Sequence, residues 1–326
     1  MTFEPVPAVG DDARGAADIL AGIDTWTASE PLRALVTAFG GTAGVFADDV
    51  GDRLAALDEF STRWDGRRGA ERNLATPLEL SDEQVALTDD AARALGLVDP
   101  RPPRRKEYDH VFALGGLVRA CVVRPAHVAR LIAAGDIRTT NVTALGGHRP
   151  FGGDEGDLAR SIGLDGVDEE YEALDRGTRW AFGLGAPIAE DGERSELPGG
   201  TWSVRTYAAE GGPRIRVAAA PSSEPERRRA HTADTYEWFA RTLAAVEPGQ
   251  TLLAVTTAIY VSAQQAAALR MLALPFDVQV ETIGVVPGSV LPKLAQTFTP
   301  SHYLQEIRSA IRGYRALHAA ALEYAG

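Results

Sequence analysis

From residue 13 to about residue 100 the apolar positions recur at helical spacing and few runs have strand character, which predicts a mostly helical N-terminal segment. Its clearest helix begins at Ser81, where Ser81 and Gln84 have the spacing of a capping box and Gly96 stands at the expected C-terminal cap. The stretch Pro100 to Lys106, with three prolines and four basic residues, reads as a linker. After it, short apolar runs alternate with amphipathic stretches, the pattern of βαβ units and a parallel sheet. The expected division is 1–105, a helical segment with its linker, and 106–326, an α/β domain. In that domain a Rossmann-like parallel sheet is flanked by helices and followed by a C-terminal helix.

The first predicted strand is Tyr108 to Leu114, ended by Gly115-Gly116. A helix follows, with Pro125 near its first turn, Gly135 after its last, and Val128, Leu131 and Ile132 on one face. Asn141 to Leu145 is the second strand, ended by Gly146-Gly147. The pattern then predicts helix Glu169 to Phe182, strand Ile215 to Ala220, helix Thr232 to Val246 and strand Thr251 to Thr256. Helix Ala263 to Leu272, strand Val278 to Val285 and helix Ser301 to Tyr324 complete the series.

Composition narrows the function classes. With 45% hydrophobic residues in 326, the chain can bury a large core. Lys+Arg 33 against Asp+Glu 45 gives a net charge of -12, the opposite of a nucleic-acid footprint, although a small anion in one basic pocket stays open. The one cysteine, Cys121, offers no intramolecular disulfide and no thiolate cluster, which suits a reducing compartment. Residues 1–12 have neither the basic region nor the apolar core of a signal peptide. No apolar run approaches the roughly 20 residues that span a bilayer. The expectation is a cytoplasmic protein without membrane or nucleic-acid partners. The six histidines show no metal-ligand spacing, so no metal site is expected. A nucleophile elbow, a Walker A sequence, a G-x-G-x-x-G fingerprint and an H-E-x-x-H motif are all missing.

The candidate chemistry lies at the strand ends. In an open parallel sheet, ligands bind beyond the carboxyl ends of the strands, where backbone N–H groups and helix N-termini converge. Here successive strands end in Gly115-Gly116, Gly146-Gly147-His148-Arg149, Ser222-Ser223 and Thr256-Thr257. Glycine permits close backbone approach and hydroxyls can donate or accept, but each glycine pair taken singly also reads as a simple turn. Arg149 suits a carboxylate or phosphate, or equally an ion pair with Asp154, Glu155 or Asp157. His148 is a candidate acid or base, or a plain hydrogen-bonding residue. Arg227 to Arg229 precede a helix that starts near Thr232, where Arg229 and Thr235 could reach an anion and Asp234 could instead act as a cap. Glu169, Glu170 and Glu172 head another helix and suit its dipole, or one of them faces the rim as a base.

The segments Tyr108 to Gly116, Val142 to Gly147, Asp234-Thr235-Tyr236-Glu237 and Leu252 to Thr257 together resemble the YdcF, SanA and ElyC superfamily, a group with a Rossmann-like domain. Glu172-Ala173 resembles its Glu-Ala element. Tyr260 and Gln264 stand where that group usually has a histidine and an arginine. The resemblance implies a nucleotide- or S-adenosylmethionine-like ligand. The resulting expectation is a transferase- or hydrolase-type enzyme for a small anionic metabolite. Gly115, Gly116, Gly146, Gly147, Arg149, Ser222, Arg229, Thr235, Thr256 and Thr257 would bind it, and His148, Glu172 and Glu237 would move protons. The alternatives are a sensor or carrier without turnover, and a chain that self-associates through its helical segment.

Overall fold

The computed structural model describes residues 2–11, 13–66, 77–208 and 211–325. The chain forms two compact units, one of Met1–Pro100, Ala258–Pro275 and Thr297–Gly326, the other of Arg101–Thr257 and Phe276–Gln296. The first crossing between them lies at the start of the proline-rich linker. The chain then returns to the first unit twice, at Ala258–Pro275 and at Thr297–Gly326.

The first unit is helical. It contains α1 (Ala16–Thr27), α2 (Glu30–Ala38), α3 (Val50–Phe60) and α4 (Asp82–Ala94), and the later segments add Val261–Ala268 and the C-terminal helix Pro300–Ala325. At α4 the Ser81 hydroxyl accepts from Gln84 N–H and the Gln84 side chain accepts from Ser81 N–H, so the predicted capping box forms. Leu304, Ile307, Ile311, Tyr314, Leu317 and Ala321 make one buried stripe along the C-terminal helix. Trp26 packs edge-on against Tyr314 with ring centroids 4.8 Å apart.

The second unit is built on a seven-stranded sheet: β1 (His110–Leu114), β2 (Asn141–Gly146), β3 (Ala189–Glu193), β4 (Trp202–Ala208), β5 (Arg214–Ala219), β6 (Thr251–Thr257) and β7 (Gln279–Val285). Their order is β3-β4-β5-β2-β1-β6-β7. The five strands from β5 to β7 are parallel, in the doubly wound Rossmann-like arrangement, and β4 and then β3 extend the sheet antiparallel, with β3 at its edge. Both faces of the parallel part are covered. Val111 and Ala113 join the core that also holds Cys121, Val128 and Leu174, whereas Phe112 meets Phe239 at 4.5 Å between ring centroids.

The edge strand β3 has no sequence signal, for a visible reason. β3, Ala189–Glu193, is exposed at every position and carries no apolar side chain beyond Ala189. Carboxylates on an exposed edge discourage pairing with another chain, and they leave no alternation to read.

One helix differs from its expected start. Helix α5 is Val118–Ala133, so Pro125 lies inside it rather than in its first turn. Proline has no N–H to give the carbonyl four residues back, that of Cys121. Beyond the short helix α6 (Glu155–Ser161), the helix α7 (Glu170–Phe182) crosses there with Gly177, where any side chain would collide with the Cys121 carbonyl and the Val122 backbone. A glycine and a proline, eccentric within their own helices, thereby let two helices meet backbone to backbone.

Candidate functional site

The parallel order brings the ends of β5, β2, β1 and β6 to one edge of the sheet, as the strand-end reading requires. What stands at those ends divides into two regions, a buried ionic network and an open cavity.

The network covers the ends of β1 and β6. The carboxylate of Glu170, in the first turn of α7, fits against Gly115 and Gly146: a Cβ on Gly115 would lie 2.5 Å from Glu170 Oε1, and one on Gly146 would lie 3.0 Å from it. Arg149 donates from Nε to Glu170 Oε2 at 2.9 Å, and from Nη1 and Nη2 to Glu155 at 2.7 and 2.9 Å. Its Nη2 also donates to the Gly116 carbonyl at 3.0 Å. Burial pushes the Glu170 carboxyl above its ordinary range, opposed by Arg149, Arg229 and Arg124. Burial acts the same way on Glu155, but Arg149 and the N–H groups of Gly152 and Val118 outweigh it and hold that carboxyl low. From α5, Arg124 donates to the Leu114 carbonyl at 2.8 Å and to Thr257 Oγ1 at 3.1 Å, which ties β1 to β6. Thr256 Oγ1 is buried without a partner among the described residues.

The two glycine pairs therefore have different uses. Gly115 and Gly146 make room for an internal carboxylate, and Gly116 faces Ala120 with φ of 150°. Gly147 instead has open space: a Cβ placed there would meet nothing nearer than Ala230 Cβ, at 4.0 Å. Arg149 takes the ion-pair alternative with Glu155, extended to Glu170.

The cavity lies one strand over, beside the ends of β2 and β5 and the hairpin that joins β3 to β4. It measures about 510 Å³, and its lining includes His148, Glu169, Glu193, Arg194, Ser203 and Arg229. That volume falls in the range of small-molecule sites. His148 Nδ1 is 3.2 Å from Glu169 Oε2 and its Nε2 is 3.1 Å from Ser203 Oγ. An ionised carboxylate can only accept, so Nδ1 donates to Glu169, and Nε2 of the neutral ring then accepts a hydrogen bond from the Ser203 hydroxyl. The ring also lies 5.1 Å from that of Tyr171, centroid to centroid.

Local backbone pairing fixes this geometry. Glu170 N–H donates to the Arg149 carbonyl at 2.8 Å and Phe151 N–H to the Asp168 carbonyl at 2.7 Å, which hold the His148 loop against the start of α7. Ser203 stands on β4 opposite Gly192 of β3. A Cβ at Gly192 would lie 3.4 Å from Ser203 Oγ, so the glycine leaves the hydroxyl uncovered on that side.

Of the sequence candidates, His148 and Arg229 line the cavity. Gly115, Gly116, Gly146, Arg149, Thr256 and Thr257 belong to the network or its surroundings. Glu172 is held by Arg205 through two hydrogen bonds of 3.0 and 2.8 Å and is not part of the cavity lining. Glu237 pairs with Arg241 one turn along its helix, at 3.0 Å. Ser222 accepts from Glu224 N–H at 3.0 Å, and Thr235 donates back to the His231 carbonyl at 3.0 Å. Asp234 takes the capping alternative: with His231 it forms a capping box at the helix α8 (Thr232–Trp238). Burial works against its charge, but Arg228, Ser223 and nearby N–H groups hold its carboxyl well below the usual range.

His148 and the Glu169 to Glu172 cluster are legible in the sequence, which points to Glu172 rather than Glu169, whereas Ser203 is not legible. A serine outside a nucleophile elbow, on a strand that was not predicted, carries no local signal.

The fold and this cavity define an α/β protein with a Rossmann-like sheet and an open pocket at its carboxyl edge. Residues 10–96 match the family model described as the Rv3785 N-terminal domain. The chain is 34% identical over 321 residues to the uncharacterized protein Rv3785 of Mycobacterium tuberculosis (strain ATCC 25618 / H37Rv), covering 90% of this chain and 88% of that one. The same figures hold for the uncharacterized protein Mb3814 of Mycobacterium bovis (strain ATCC BAA-935 / AF2122/97). The chain belongs to the Rv3785 family. No solved structure matches it. Among the described residues no helix is long and apolar enough to cross a membrane, and no group of three or more His, Cys, Asp or Glu is placed to hold a metal ion.

Proposed function

We propose that this protein is a cytoplasmic small-molecule enzyme of the transferase or hydrolase type, and that its substrate carries an anionic group. The observation that carries this reading is His148, suspended between a carboxylate and a hydroxyl on the wall of a cavity of about 510 Å³. A histidine oriented by a carboxylate is the ordinary arrangement of a general base. Arg194 and Arg229 supply cations on the same lining. The volume suits a ligand of nucleotide or S-adenosylmethionine size. The resemblance to the YdcF, SanA and ElyC superfamily favours the same ligand class. With a net charge of -12, the surface as a whole does not favour nucleic acid.

The test is isothermal titration with AMP, ATP and S-adenosylmethionine, on the parent chain and on Arg229→Ala and Arg194→Ala. At least one of these ligands is expected to bind, and loss of an arginine to weaken it about 10- to 100-fold, the worth of a charge-assisted hydrogen bond. Binding by none of the three, or a Kd indifferent to both substitutions, overturns the reading.

A further inference from the structure

We propose that Ser203 is the nucleophile of this site, that His148 is its base, and that the enzyme hydrolyses a carboxylic ester bearing a separate anionic group. The inference rests on the reading of the cavity as a substrate site and adds to it a reaction and a covalent intermediate. Four observations support it. Ser203 Oγ and His148 Nε2 are 3.1 Å apart, within the reach expected of a nucleophile and its base. Glu169 holds the other ring nitrogen at 3.2 Å and thereby selects the tautomer whose Nε2 can accept. Ser203 stands on a strand paired on both sides, to β3 and to β5, which is a rigid mount for a reacting atom. Gly192 across the strand leaves the hydroxyl open to the cavity.

The surrounding charges select the electrophile. Glu169 and Glu193 both line the cavity, and a phosphoryl group brought to Ser203 would meet their repulsion. A neutral ester carbonyl would not. Arg194 and Arg229 then donate to the carboxylate or phosphate carried elsewhere on the substrate. Arg194 has no ion pair among the described residues and so is available to it.

The chemistry balances with water as the second substrate. As Ser203 Oγ bonds to the ester carbon, its proton passes to His148 Nε2 and the carbonyl π pair moves onto oxygen. Collapse of that tetrahedral species breaks the bond to the alcohol oxygen, which takes the proton from Nε2 and departs. Water then adds to the acyl carbon, giving a proton to Nε2. The second collapse breaks the bond to Ser203 Oγ, which recovers the proton, and the carboxylic acid leaves. Glu169 is a positioning residue throughout, stabilising the imidazolium without touching substrate.

The experiment uses the full chain with p-nitrophenyl acetate, p-nitrophenyl hemisuccinate and a fluorophosphonate probe. The expected results are a probe adduct on Ser203 in intact and peptide mass spectra, no adduct in Ser203→Ala, and hydrolysis slowed about 10²- to 10⁴-fold in His148→Gln. Thermal melts of the variants report that they fold. Glu169→Gln is expected to lower kcat while leaving KM near its parent value, and Glu169→Asp to restore part of kcat, a split that a merely structural role would not give. The hemisuccinate should have the lower KM, and Arg229→Ala should abolish that advantage. A folded parent protein that takes no probe on Ser203, or ester hydrolysis undiminished in Ser203→Ala, overturns the assignment. If AMP, ATP or S-adenosylmethionine still binds in an arginine-dependent way, only the nucleophile is lost. If none binds either, the substrate-site reading falls with it.

Discussion

The carboxylate of Glu170 occupies the space that a side chain at Gly115 would need, with Oε1 only 2.5 Å from where a Cβ would stand. The glycine at the end of β1 thus serves an internal charge rather than an external ligand. Glu170 belongs to α7 and Gly115 to the sheet, so the contact fixes the helix against the strand ends at the point where the two arginines of the network converge.

A methyl group is therefore poorly tolerated at this position. Gly115→Ala would press on Glu170 Oε1 and also on the Gly146 Cα, 2.9 Å away. The expected cost is about 1–3 kcal/mol, typical of overpacking. Gly147→Ala, with nothing closer than 4.0 Å, should stay within about 0.5 kcal/mol. Urea denaturation of the two variants checks the contrast, and equal losses would refute it.

Arg149 is the cation that two buried carboxylates share. Its side chain is 13% exposed, against 4% for Glu155 and 10% for Glu170. Arg149→Met removes the partner of both and should destabilise the unit by about 3–5 kcal/mol, the usual penalty for stranding a buried charge. Adding Glu155→Gln and Glu170→Gln to the same chain should recover much of that loss, because no uncompensated charge is left. Equilibrium unfolding of the single and triple variants measures both terms. A single variant as stable as the parent would contradict the account.

His127 makes folding sensitive to mild acid. It is buried on α5, and Arg130 Nη2 donates to its Nδ1 at 2.9 Å, which requires that nitrogen to be unprotonated. Burial, with Arg130 beside it, lowers the pKa of His127 to about 4. The folded state thus prefers the neutral ring, and the unfolded chain protonates at the ordinary value of about 6.5. Stability is fully present above about 6.5 and is lost as the pH falls from there toward 4, by up to about 3 kcal/mol. His110, also lowered by burial, adds to the loss in the same direction. His127→Gln should flatten the decline between about pH 7 and pH 4.5 without abolishing it. Parallel curves for parent and variant in urea titrations across that range would sink the explanation.

The boundaries of the parallel strands were legible because buried strands are continuous apolar runs ended by small residues, and His110–Leu114 and Thr251–Thr257 show that plainly. The capping box at Ser81 was legible because its two hydrogen bonds span three residues of one segment. The strand β3 was not, since an exposed acidic edge strand has no apolar alternation. The start of α5 is not legible, because Pro125 resembles a first-turn proline while the helical residues ahead of it carry no start signal of their own.

By itself the sequence determined the class of fold, the succession of parallel strands and the gathering of Gly147-His148 near a carboxyl edge, because each depends on residues close together along the chain. It also offered Glu237 and the carboxylates at 169–172 as acid candidates. Only the tertiary structure decided which of those carboxylates meets His148, that Arg149 is spent on Glu155 and Glu170, and that Ser203 comes within 3.1 Å of the imidazole from 55 residues away. Such pairings are made by β4 joining the sheet edge and α7 docking against α5. Contacts between distant segments leave no periodicity for a sequence to display.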